Sequence, residues 1–235
     1  MAHKNAKSII KRYKDEFAQA IIQAVGPQMG LDSESASSLS NRKDSVIFAE
    51  EQTIRYVGDH NNSFGQNVPQ HFINDGVLYI CPGRWGLNDI PSQLKTFTVG
   101  IEIKEDRNDL SQDVKIQYYL GWTDFYIILV PDDLREAALK KIEILDDARF
   151  GVVTYSPAGH FRIVRVPQRQ QVLAINQYAL ALQALFSQNN LFAAEIVIDP
   201  NETGTYIEAD AYSLKFRNIN FEFEGREDTY VNKRK

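Results

Sequence analysis

Three side chains of this 235-residue chain have types and spacing that could do chemistry: Asp75, Glu102 and Lys104. Glu102 and Lys104 lie two apart in VGIEIK, where the other residues are Val, Gly and Ile. Successive side chains of a strand point to opposite faces, so the spacing puts a carboxylate and an ammonium on one face and Ile101 and Ile103 on the other. Charges are rarely set into a sheet without partners. On a half-exposed strand such a pair is an ordinary salt bridge, worth at most about 1 kcal/mol. Asp75 changes that reading, because it lies on the preceding strand-like run, and two carboxylates converging at one sheet end repel unless a cation sits between them. Hard oxygen ligands with open positions suit Mg²⁺. The ion would lower the pKa of a bound water, while Lys104 would orient that water and stabilise the charge of a pentacovalent phosphate. Asp with Glu-x-Lys is the minimum set for hydrolysing a phosphodiester. Asp89 is a competing carboxylate, although Ile90-Pro91 after it reads as a turn.

The elements that must position these groups follow from periodicity. Residues 6–25 predict an amphipathic helix, with Ile9, Ile10, Tyr13, Phe17, Ala20, Ile21 and Ala24 at spacings of three and four, closed by Gly26-Pro27. The stretch LDSESASSLSN, 31–41, reads as an exposed linker, and 44–57 as a second helix stopped by Gly58. Residues 72–80 and 96–104 predict a hairpin with an enlarged tip, the first strand broken at Asn74-Asp75-Gly76. A helix over 109–121, a buried strand over 125–130, a helix over 132–145 and a hairpin of 150–155 with 161–166 follow, then a long helix over 170–186. Beyond Ser187 short strand-like pieces run to a charged tail. The expected class is α/β, a mixed central sheet flanked by helices. Three regions are expected: an N-terminal helix and linker (1–40), a core (41–186) and a C-terminal appendage (187–235).

Residues 72–131 resemble the PD-(D/E)xK nuclease superfamily, and 102–131 are similar to the MmcB-like DNA repair family. The resemblance rests on Glu102, Lys104, Asp109-Leu110, Asp113-x-Lys115, Tyr119, Asp124 and Val130-Pro131, at matching spacing and without gaps. It departs from the pattern in the long interval between Asp75 and Glu102 and in Asn74, where the family has Pro. It implies a restriction-endonuclease-like fold and a nuclease, dependent on Mg²⁺ or Mn²⁺, acting on DNA in repair or defence. It also implies that Asp75 and Glu102 hold the metal, with the backbone carbonyl of Ile103 as a further ligand. Lys104 would position the attacking water, supported by Asp113 and Lys115. Glu50, or Glu51 beside it, would be the extra carboxylate that many such nucleases carry on a preceding helix. Asp109, Asp113 and Gln117, four apart, would stack on one helix face, with Lys115 and Tyr119 around its side. Asp109 equally suits an N-cap, and Asp113 the helix dipole.

Other residues have a functional and a structural reading. His60 and His71 flank the Asp75 strand; Trp85, beside Arg84, would stack on an unpaired base or anchor its own loop. Lys4, Lys7, Lys11, Arg12 and Lys14, with Arg162, Arg165 and Arg169, could line a DNA groove or form solvated faces. With 26 Lys and Arg against 31 Asp and Glu, the net charge of −5 excludes a broadly basic nucleic-acid coat, so any DNA affinity is local and salt-sensitive. A single cysteine, Cys81, excludes an internal disulfide and a cysteine zinc site. No signal peptide or membrane span is legible, which predicts a cytoplasmic protein. A homodimer is a possible state, since duplex cutters with one site per chain often pair. The rival reading is a non-catalytic DNA- or protein-binding module that keeps the fold.

Overall fold

The computed structural model describes residues 6–40, 46–56, 71–80, 97–113 and 116–172, the helical residues Asn176, Leu180, Ala181 and Gln183, and 194–198, 205–209, 212–217 and 220–225. The chain divides into two compact units, 1–48 with 75–171, and 49–74 with 172–235. The N-terminal helices thus belong to the first unit rather than forming a region of their own.

The first unit is an open mixed sheet with helices, of the α/β class. Its strands are β2 (His71–Ile80, inside the unit from Asp75), β3 (Phe97–Ile103), β4 (Phe125–Pro131), β5 (Phe150–Tyr155) and β6 (Phe161–Arg165). β2 runs antiparallel to β3, β3 parallel to β4, β4 parallel to β5, and β5 antiparallel to β6. Every residue of β4, FYIILVP, is buried, as expected for a parallel strand covered on both faces. On one face, Phe97, Val99, Ile101, Phe125, Ile127, Leu129, Val153 and Tyr155 meet α1 (Ala6–Arg12), α2 (Lys14–Val25) and α3 (Ser33–Ser40) in a single apolar cluster. Burying a residue such as Phe17 or Ile22 there contributes roughly 1.5–3 kcal/mol. The residues of opposite parity, among them Thr98, Gly100, Glu102 and Tyr126, lie outside that cluster. Two crossovers link the parallel strands, β3 to β4 through α4 (Arg107–Gln112) and β4 to β5 through α5 (Arg135–Leu145), which buries Ala138 and Ile142.

Several elements differ from expectation. The first helix is two, jointed at Tyr13 (φ −121°, ψ 41°), although backbone hydrogen bonds from Tyr13 to Ile9 and from Phe17 to Tyr13 bridge the joint. Tyr13 leaves the helical path because its ring lies over Gly159, in the turn of the β5–β6 hairpin. The expected linker is α3: Asp32 accepts from the Ser35 N–H at 2.7 Å as a cap, and Ala36 and Leu39 are buried. The cap holds the Asp32 carboxyl below its ordinary range, chiefly through the Ser35 hydrogen bonds.

The second expected helix is a strand, β1 (Val46–Tyr56). Val46, Ala49 and Gln52 are buried three apart, a spacing that imitates a helix, and Glu51 takes a left-handed conformation (φ 48°) that breaks the alternation between Ala49 and Gln52. β2 continues unbroken through Asn74-Asp75-Gly76. The expected helix over 109–121 is shorter and earlier: α4 ends at Gln112, and Ile116–Tyr119 form a separate 3-10 turn. Asp132–Leu134 is likewise a 3-10 turn ahead of α5, and Gln170–Val172 are not helical.

In the second unit β1, from Ala49 on, pairs in parallel with β7 (Ala194–Ile198), Ile54 opposite Ile196. Antiparallel pairing then runs from β7 to β8 (Thr205–Ala209), β9 (Tyr212–Arg217) and β10 (Asn220–Gly225). The strand-like pieces read beyond Ser187 are these four strands. No helix among the described residues is long and apolar enough to cross a membrane.

Candidate functional site

The site is built where β2, β3 and α4 meet. Gly76 pairs with Ile101, so the next step of the antiparallel register sets Asp75 opposite Glu102. Instead of a ladder bond there, the Asp75 side chain ends the pairing: its Oδ2 accepts from the Ile103 N–H at 2.8 Å. Its other oxygen, Oδ1, lies 3.5 Å from Nζ of Lys7 on α1. The start of α1 is fixed nearby by the Ala6 N–H, which donates to Oε1 of Glu105 at 2.6 Å.

Glu102 and Lys104 share the face that strand alternation assigns them, and both are buried. Nζ of Lys104 lies 2.8 Å from Oε1 of Glu102, 2.9 Å from Oδ2 of Asp113 and 3.3 Å from Oδ1 of Asp109. α4 arranges the last two. Its N-cap is Asp106, which accepts from the Asp109 N–H at 2.8 Å, so Asp109 is in the first turn and not at the cap. Asp113 is the C-cap, with extended backbone (φ −69°, ψ 101°). The expected stack of Asp109, Asp113 and Gln117 on one helix does not form, because the helix has ended by Asp113. The two aspartates converge on Lys104 from the helix and from its exit.

Burial pushes the Glu102 carboxyl up to about 8, with the Asp75 charge adding to it and Lys104 opposing it. Burial alone would lower the Lys104 ammonium, but Glu102 and Asp113 outweigh it and hold it well above its ordinary value. Lys104 is therefore a fixed cation. The Tyr126 hydroxyl donates to Oε2 of Glu102 at 3.4 Å, and the Tyr126 ring stacks on Tyr119 with centroids 5.5 Å apart. Both phenols are raised, first by burial and next by the Glu102 charge. Sequence reasoning missed Tyr126, taking it as part of an apolar run. The available signal was Gly100: in register opposite Tyr126, it leaves room where a Cβ would meet the ring at 2.6 Å. It also missed that Lys7, read as one member of a basic face, contacts Asp75.

Glu50 lies on strand β1 in the second unit, not on a helix, while Asp75, Glu102, Ile103, Lys104 and Asp113 belong to the first. Glu51 shares that strand. Lys115, Asp89, His60, Arg84, Trp85, Cys81 and Lys4 lie outside the described residues, and His71 begins β2. Asp124 is part of a separate clasp: it accepts from the Thr98 N–H at 2.9 Å and pairs with Arg169 at 3.2 Å. Arg165 donates to the Asp147 carbonyl, Lys14 to the Val46 carbonyl, and the Arg12 guanidinium lies over the Tyr13 ring. Lys11, Arg12 and Arg162 are exposed.

No protein-family model matches the chain, and no curated protein matches it. Among solved structures it is similar to a protein of unknown function from Silicibacter pomeroyi, with a TM-score of 0.40 and 17% identity, covering 74% of this chain and 84% of that one.

Proposed function

We propose that this protein is a nuclease of the PD-(D/E)xK type with a restriction-endonuclease-like fold, hydrolysing DNA phosphodiester bonds with Mg²⁺ or Mn²⁺ in repair or defence. The observation that carries the reading is the juxtaposition of Asp75, opposite Glu102, with a buried and permanently charged Lys104. The donor set suits a hard cation. Asp75 stands one residue beyond the last pair of its strand with β3, and Glu102 is pushed toward neutrality by burial and by the Asp75 charge, a cost that a divalent ion would relieve. Asp75, Glu102 and the Ile103 carbonyl would hold the ion, with Glu50 the further carboxylate that the resemblance implies. The metal would supply an activated water and Lewis-acid stabilisation of the phosphate.

The residues of the chain itself do the rest. Lys104, held as a cation, donates hydrogen bonds to the attacking water or to a non-bridging phosphate oxygen and does not act as a base. Asp113 and Asp109 keep that ammonium in place, and Tyr126 fixes the second oxygen of Glu102. The Asp75 carboxylate is aimed by the Ile103 N–H. One observation favours the rival binding-module reading: among the described residues no three Asp, Glu, His or Cys side chains are grouped as metal ligands.

The test is cleavage of single-stranded, duplex and branched DNA with Mg²⁺ or Mn²⁺, with Glu102→Ala protein as control for contaminating nuclease. Metal-dependent cutting absent from the variant is the expected result. No cutting, together with no metal-induced thermal shift, would make the fold a binding module.

A further inference from the structure

We infer that Lys7 competes with a divalent cation for Asp75, so that α1 sets the metal affinity of the site. The inference rests on the nuclease reading, since it concerns the ion proposed there. It starts from an ion pair between distant parts of the chain: Nζ of Lys7 on α1 lies 3.5 Å from Oδ1 of Asp75 on β2, the two side chains being 25% and 26% exposed. The other oxygen of that carboxylate is committed, because Oδ2 accepts from the Ile103 N–H at 2.8 Å. Oδ1 is therefore the oxygen that a cation can take without disturbing the bond that aims the carboxylate. Lys7 already sets a positive charge against it.

The two lysines of the site are held very differently. Lys104 is buried and meets Glu102, Asp113 and Asp109, so it has nowhere else to go. Lys7 is a quarter exposed, and its flexible stem can carry the ammonium into water at the small cost of a partly exposed ion pair. A divalent ion on Oδ1 would repel that ammonium at contact range, so the two cannot share the oxygen. The helix keeps its seat when the side chain lets go. Ile9 and Ile10 are buried in the core, and the Ala6 N–H donates to Oε1 of Glu105 at 2.6 Å. Lys7 thus stays tethered beside the site, and its competition with the ion is reversible. Lys11, one turn further along α1 and exposed, carries the same charge and provides the comparison.

The experiment counts free Mn²⁺ by electron paramagnetic resonance as the ion is titrated into the full chain, a readout that needs no cleavage. Lys7→Met is expected to bind Mn²⁺ about fivefold more tightly than the native protein, and Lys7→Arg, which keeps the charge, to bind as the native protein does. Lys11→Met should change the affinity by less than about twofold, because its charge is screened by solvent. Circular dichroism confirms that the variants are folded. Unchanged or weaker binding in Lys7→Met overturns the inference and leaves the metal site standing. So does an equal gain in Lys11→Met, which would be an effect of net charge, or a gain that persists when Lys7→Met is combined with Asp75→Asn, which would place the ion elsewhere. Absence of Mn²⁺ binding from every one of these proteins removes the metal site itself, and the inference with it.

Discussion

Nζ of Lys104 stands 2.8 Å from Oε1 of Glu102, and the two side chains are only 8% and 7% exposed. The ammonium is out of water because carboxyl groups surround it, and Asp113 closes the group from the far side at 2.9 Å. Breaking such a buried group costs more than the pair itself stabilises, because the survivor has no compensating charge.

Replacing Lys104 by Met removes the ammonium that Glu102 and Asp113 face. Urea unfolding above about pH 8, where Glu102 is ionised, is expected to show a loss of about 3 kcal/mol or more. The deficit shrinks at neutral pH, where Glu102 keeps its proton. A deficit that is the same at both pH values would show that Lys104 does not hold Glu102 charged.

Without divalent metal, Glu102 makes stability pH-dependent. Its carboxyl titrates near 4.5 in an unfolded chain and near about 8 when folded. Between those values the unfolded chain has released the proton while the folded chain keeps it. Stability therefore falls as pH rises through that window, by at most about 1.4 kcal/mol per pH unit, and levels off above about 8. Denaturant titrations in EDTA should show this slope in the native protein and lack it in Glu102→Gln. Equal slopes in both would assign the titration elsewhere.

Asp75 has two separable roles. Asp75→Asn keeps an oxygen for the Ile103 N–H but discards the charge; Asp75→Ala discards both. The alanine variant is expected to be less stable than the asparagine variant by about 1–2 kcal/mol. Both should lose any thermal shift with Mn²⁺. An asparagine variant that still responds to Mn²⁺ would move the metal away from Asp75.

Gly100→Ala tests how Tyr126 is placed. An added methyl would lie 2.6 Å from the Tyr126 ring and 2.8 Å from Oγ1 of Thr123, inside a buried layer. Thermal unfolding should show a loss of about 1–3 kcal/mol from overpacking. Cleavage should fall as well, because a displaced Tyr126 no longer holds Glu102.

Much of the central fold was legible because its strands are short apolar runs bounded by turn residues. β3, β4 and the β5–β6 hairpin fall where VGIEI, FYIILV and FGVVTY place them. The face shared by Glu102 and Lys104 was legible from alternation alone. β1 was not, because its buried residues Val46, Ala49 and Gln52 lie three apart, a helical spacing on a strand. Nor was α3, whose serines read as a linker until Asp32 is seen to cap it and Leu39 to enter the core. In the site, Asp113 was foreseen as a residue but not as a helix terminator, and Tyr126 was hidden in an apolar run. The contact from Lys7 joins residues 68 positions apart, beyond any local pattern.

Tyr13 sits on Gly159, whose positive φ (85°) and missing side chain leave the space that the ring fills, and Phe17 in the next turn packs on Phe161. On the ribosome the first two helices are therefore made long before their seat exists. At roughly 5–20 residues per second, many seconds of synthesis separate Tyr13 from the hairpin it needs. Throughout that interval the apolar face of α1 and α2 has only part of its native cover, from α3 and later from β3 and β4, which makes this newborn segment, more than the finished sheet, a natural client for chaperones.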